Sequence, residues 1–233
     1  MKFTDRLHQA VRPIWEASHN HSFVQGIGDG TLPVEKFRFY MCQDYVFLID
    51  YSKLFALASI KATDVAMMGK FADLLASTLN VEMDLHRQYA EKFQISPAEL
   101  ESTEPAPITL AYSKYMLDTA HNGALAELVS SLLPCMWSYW EIGKRLALEN
   151  RVPAESLYKE WIDMYSSTEF GQLAEWLIGV MNQLAEGLPE SHLRRLEQHF
   201  VTTSRYEYMF WSMAYKLESW PTELVKSPNS CLG

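Results

Sequence analysis

Apolar residues recur along this chain at steps of three and four. Phe37, Tyr40, Met41, Asp44, Phe47, Leu48 and Tyr51 fall on one face of a helix. Phe71, Leu74, Leu75, Leu79, Met83 and His86 repeat the pattern. So do Leu125, Leu128, Val129, Leu132, Leu133 and Met136, and then Leu173, Trp176, Leu177, Val180, Met181 and Leu184. No stretch alternates long enough to predict a strand. Alanine, leucine and glutamate are plentiful, and their propensities favour helix.

Breaks between these segments are also legible. Gly26, Gly28, Asp29 and Gly30 interrupt the pattern, and Pro33 suits the first turn of a new helix. Ser96-Pro97-Ala98-Glu99 has capping-box spacing. Glu104 to Pro107 reads as a loop, and Asn122-Gly123 as a stop and restart. Asn150 to Pro153 ends another helix, Ser166 with Glu169 forms a second candidate capping box, and Gly187-Leu188-Pro189 precedes a long terminal helix. The expectation is about seven main helices in one all-α domain over residues 1–220, followed by a loose tail at 221–233.

The chain has 233 residues, enough for one core without disulfide or metal staples. Asp and Glu exceed Lys and Arg, 29 to 20, giving a formal charge of -9. A field of that sign repels phosphate and disfavours nucleic-acid binding. No apolar run reaches the roughly 18 residues that cross a bilayer. Three cysteines without metal spacing, Cys42, Cys135 and Cys231, argue for free thiols in a reducing compartment. A cytoplasmic protein is expected.

Three windows could carry chemistry. Pro134 inside a helix removes a backbone donor and predicts a kink, beside which Cys135 could face a cavity shared with Tyr139. Cys135 is then either a nucleophile or a small buried apolar group. Asp44 lies among Tyr40, Phe47 and Tyr51, where a carboxylate is costly unless partnered. It either anchors an amino group on a flat heteroaromatic ligand or is satisfied by a tyrosine hydroxyl or backbone amide. Glu207 shares a face with Phe210 and Trp211, a dry setting that tends to raise a carboxyl pKa. It is either a proton shuttle or a structural glutamate bonded to a tyrosine. Glu82 and His86, four apart, have one possible metal-ligand spacing, but no second Glu-x-x-His motif supports it. A structural hydrogen bond is the expected role there. No metal or cofactor is expected.

These windows together resemble the TenA (thiaminase II) family. The likeness rests on Gly28-Asp29-Gly30-Thr31-Leu32-Pro33 leading to Gln43-Asp44-Tyr45, on Pro134-Cys135 with Tyr139, and on Glu207 with Phe210-Trp211. It spans about Phe3 to Trp220; the tail beyond is a departure that the resemblance does not place. The resemblance implies a haem-oxygenase-like helical bundle without haem, assembled as a homotetramer. It implies hydrolysis of 4-amino-5-aminomethyl-2-methylpyrimidine to hydroxymethylpyrimidine and ammonia, and of thiamine to hydroxymethylpyrimidine and thiazole, in thiamine salvage. By the same resemblance Cys135 matches the nucleophile and Glu207 the acid/base. Asp44 matches the anchor of the ring's amino group and adjacent nitrogen. Phe47, Tyr112, Tyr139, Tyr165 and Phe210 match pocket residues. Competing readings are a metal-dependent oxidase on the same fold and a non-catalytic pyrimidine or thiamine binder. Cys42, two residues from Asp44, reads as structural.

Overall fold

The central element is a helix that is buried almost all round. In this computed structural model, which describes residues 2–221 except the side chains of residues 81, 82 and 85, helix α8 spans Leu125–Glu149. Every residue from Leu125 to Pro134 is buried, as expected of a helix enclosed by others. Around it stand α1 (Phe3–His19), α3 (Val34–Lys61), α7 (Pro107–Asn122), α9 (Lys159–Ser166), α10 (Thr168–Ala185) and α11 (Glu190–Lys216). Helices α11, α9 and α10 pack most heavily on α8, while α3 packs on α4 (Val65–Ser77) and α7. Shorter helices α2 (Ser22–Asp29), α5 (Met83–Lys92) and α6 (Pro97–Glu101) complete the order. No strand occurs among the described residues.

The all-α expectation holds, with more helices than the seven read from the sequence. Gly26 and Gly28 do not break the chain; they lie inside α2, which is held by burial of Phe23, Val24 and Ile27. The break falls at Gly30, whose positive φ of 78° caps α2 in a conformation that favours glycine. Pro33 is the N-cap residue of α3. The Ser96–Glu99 capping box forms, with Pro97 in the first turn. The second box does not form at Ser166. Ser167 caps α10 by accepting from the Phe170 amide at 3.1 Å, and Ser166 belongs to α9. Helix α8 is assigned without interruption through Pro134, so the lost donor costs a single rung of the ladder. Apart from Pro221, the expected tail, with Cys231, lies outside the described residues.

One register shift matters for the site. Helices α4 and α5 join through a π turn, Thr78–Glu82, which inserts an extra residue into the helical repeat. Leu79 was expected inward, but it is exposed, and Thr78 is buried in its place. Beyond the turn, Met83, His86 and Ala90 face the interior.

Candidate active site

Four long helices converge where α3, α7, α8 and α11 meet. Asp44, Phe47, Tyr112, Cys135, Tyr139, Glu207 and Phe210 line one small void of about 10 Å³, room for a single water at most. Two larger chambers adjoin it. One, about 260 Å³, is bounded by Asp44, Phe47, Tyr51, Cys135, Tyr139 and Tyr165. The other, about 270 Å³, is bounded by Tyr40, Asp44, His86, Trp161 and Tyr165. Asp44 borders all three.

The tertiary fold thus gathers residues read from separate windows. Tyr165, on α9, stands one layer further out and meets Tyr139 at a ring distance of 4.8 Å. The approach of α9 to α8 is close: a Cβ on Gly143 would stand 2.5 Å from the Tyr165 carbonyl carbon. Phe47 packs against Tyr112 at 5.0 Å and edge-on to Phe210 at 5.9 Å. Aromatic edges and faces at these separations make a rigid apolar wall.

Glu207 is 2 % exposed. Burial pushes its carboxyl up from an ordinary 4.5 to about 7, opposed by a hydrogen bond from Tyr112, assisted by the charge of Asp44, and opposed by a hydrogen bond with Cys135. The Tyr112 hydroxyl donates to Glu207 Oε1 at 2.5 Å. Burial likewise raises the phenols of Tyr40, Tyr112 and Tyr139 well above their usual range, so they remain protonated. Tyr40 and Tyr139 share a hydrogen bond of 3.4 Å, and the Trp161 indole N–H donates to the Tyr40 hydroxyl at 3.3 Å. Tyr51 donates to the Leu132 carbonyl at 3.1 Å, fixing α3 against α8 beside Pro134.

Asp44 finds a histidine partner that its own helix does not supply. Its Oδ2 meets His86 Nε2 at 3.3 Å. The Glu82 side chain lies outside the described residues, so the four-apart pair with His86 is not described. Among the described residues no three His, Cys, Asp or Glu side chains assemble as a metal site. Sequence reading did not connect His86 to Asp44, because the π turn that aims it has no clear sequence signal. Tyr40 and Tyr51, read from the sequence as aromatics flanking Asp44, line the chambers, whereas Trp161 escaped that reading. Cys42 points away from this cluster, bonding toward Thr103, and its thiol is raised by burial. No helix among the described residues is long and apolar enough to cross a membrane.

Comparisons with known proteins bear on the family and the fold. An aminopyrimidine aminohydrolase of Halalkalibacterium halodurans is 50% identical over 94% of this chain and 98% of its own. A TenA homologue from P. horikoshii OT3 superposes with a TM-score of 0.86 at 31% identity, covering 93% of this chain and 99% of that one. A domain of unknown function with a heme oxygenase-like fold, from Shewanella denitrificans, superposes with a TM-score of 0.72 at 13% identity, over 92% of each chain, which shows the fold alone. The model of the TENA/THI-4/PQQC family matches residues 8–217. An all-helical, heme-oxygenase-like chain matched over nearly its whole length belongs to the TENA/THI-4/PQQC family.

Proposed function

We propose that this chain is an aminopyrimidine aminohydrolase acting in thiamine salvage, with Cys135 as nucleophile and Glu207 as acid/base. The observation that carries the reading is the convergence of Cys135, Glu207 and Asp44 on one small buried void, where Cys135 also influences the Glu207 carboxyl. The 50% identity to an aminopyrimidine aminohydrolase over nearly the full chain supports the substrate class.

The void of about 10 Å³ is too small for a pyrimidine, so the ring sits in the adjoining chamber of about 260 Å³. Phe47, Tyr139 and Tyr165 flank it there, and Phe210 backs Phe47. Asp44 accepts from the ring's amino group and, once the adjacent ring nitrogen is protonated, from that nitrogen as well. Glu207, poised near neutrality, passes the Cys135 thiol proton to a ring nitrogen while the resulting thiolate adds to a ring carbon. The electron-rich adduct then breaks the methylene C–N bond, and the departing amine takes a proton to leave as ammonia. Water adds to the exposed methylene carbon and gives up a proton in place of the one the amine took. The C–S bond breaks, the ring regains its aromaticity, and its proton returns to Glu207. One difficult displacement is thereby divided into easier additions and eliminations. Thiamine follows the same course, with the thiazole leaving in place of ammonia. The steps as written use no metal or organic cofactor. A cytoplasmic homotetramer is part of this reading; light scattering of the purified protein reads the assembly.

Ammonia release from 4-amino-5-aminomethyl-2-methylpyrimidine, run beside thiamine cleavage, tests the proposal. Turnover is expected from the wild-type protein and a loss of about 10³-fold or more in Cys135→Ser. Full turnover in Cys135→Ala would remove the nucleophile assignment.

A further inference from the structure

We infer that His86 is a positioning residue for Asp44, orienting the carboxylate that receives the pyrimidine. The inference rests on the anchor role proposed for Asp44. The two side chains are 8% and 10% exposed and meet at 3.3 Å between Nε2 and Oδ2. Among the described residues this is the hydrogen bond that Asp44 makes. One oxygen of the carboxylate is therefore fixed, and Asp44 also borders the chambers a ligand would enter.

The surroundings of His86 settle which nitrogen carries the proton. Nδ1 is buried without a hydrogen-bond partner. A proton there would leave a buried donor unsatisfied, whereas a bare lone pair is the smaller cost. The ring's face packs against Tyr45 at 5.8 Å, and the Tyr45 hydroxyl is taken by Arg87 at 3.0 Å. With the proton on Nε2, His86 donates to Asp44. An aminopyrimidine offers two adjacent donors on one edge once its ring nitrogen is protonated. A carboxylate held in one plane meets both; a freely turning one meets them only part of the time.

Placement makes the contact specific. Asp44 is on α3 and His86 on α5, 42 residues apart. The π turn at Thr78–Glu82 sets the rotation of α5 that faces His86 inward.

The test compares two amides of different reach. The Gln Nε2 stands about where the imidazole Nε2 stood, while the Asn side chain ends near the position of Nδ1. His86→Asn is expected to raise KM for the aminopyrimidine about tenfold or more, the size of a lost hydrogen bond to a charged group, with kcat changed less than about threefold. His86→Gln is expected to stay within about threefold of wild type in both. Equal, wild-type-like kinetics in the two variants would overturn the inference, and so would a fall in both variants' melting temperature with KM unmoved. Asp44→Asn separates the two readings: if it leaves KM and kcat intact, the anchor role itself fails; if it impairs binding while His86→Asn does not, only the His86 inference fails. Side-chain ¹⁵N–¹H spectra of the wild-type protein give a check independent of folding. An Nε2–H signal that moves when hydroxymethylpyrimidine binds supports the inference, and an Nδ1–H tautomer overturns it.

Discussion

The Tyr112 hydroxyl donates to Glu207 Oε1 across 2.5 Å, joining α7 to α11 inside the void that Cys135 also lines. A donor at that distance favours the carboxylate form, against the burial that favours the acid. The two influences leave Glu207 close to neutrality, where a group can both give and take a proton.

Removing the donor shifts that balance. Tyr112→Phe is expected to move the Glu207 limb of the pH–rate profile upward, because the opposing hydrogen bond is lost while burial remains. A displacement of about half a pH unit or more is expected. Profiles of kcat/KM for the variant and wild type read it, and a downward displacement would contradict this balance.

Glu207 also carries a stability cost. Its folded pKa of about 7 lies above the ordinary 4.5, so between these values the folded state holds a proton that the unfolded chain has released. Stability therefore falls as pH rises through that window, by about 3 kcal/mol once both forms are ionised. Glu207→Gln is expected to melt higher than wild type at pH 8, to melt nearly alike at pH 5, and to lose turnover at both. Calorimetry at the two pH values checks the first part, and ammonia release the second.

Gly143 is a packing requirement of the site. Any Cβ there would lie 2.5 Å from the Tyr165 carbonyl carbon and 2.7 Å from its oxygen, both backbone atoms that cannot swing aside. Gly143→Ala is expected to push α9 away from α8, costing about 3 kcal/mol and lowering kcat/KM about tenfold through Tyr165. Denaturant melts and steady-state kinetics read the two effects. A wild-type-like variant would mean that α9 yields without consequence.

Gln43 sits beside Asp44 in sequence but serves a different purpose. Its side-chain oxygen accepts from the Ala106 amide at 2.9 Å and the Thr109 hydroxyl at 2.7 Å, and its amide donates to the Glu104 carbonyl at 3.1 Å. It clamps the entry to α7, the helix that carries Tyr112. Gln43→Leu is expected to lower stability by about 3 kcal/mol, or about 5–10 °C in melting temperature. Turnover at low temperature should persist, reduced, because no atom of Gln43 lines the chambers.

Helical periodicity by itself determined the secondary structure and much of the core. The whole predicted face from Phe37 to Tyr51 is buried, and so is that from Leu125 to Met136, although α8 is enclosed on its other faces as well. It also exposed the costly positions: a carboxylate at Asp44 and another at Glu207, each on an aromatic face, are visible as anomalies before any fold is known. What periodicity could not supply was the turn at Thr78–Glu82, since a single inserted residue leaves the local composition unchanged while rotating everything after it. Nor could it separate the glycines that end a helix from those within one, because burial of neighbouring side chains decides that. The meeting of Cys135 with Glu207, and of His86 with Asp44, belongs to tertiary structure alone. Side chains from different helices come within reach of one another only when those helices pack, and no spacing along one helix encodes the distance to another.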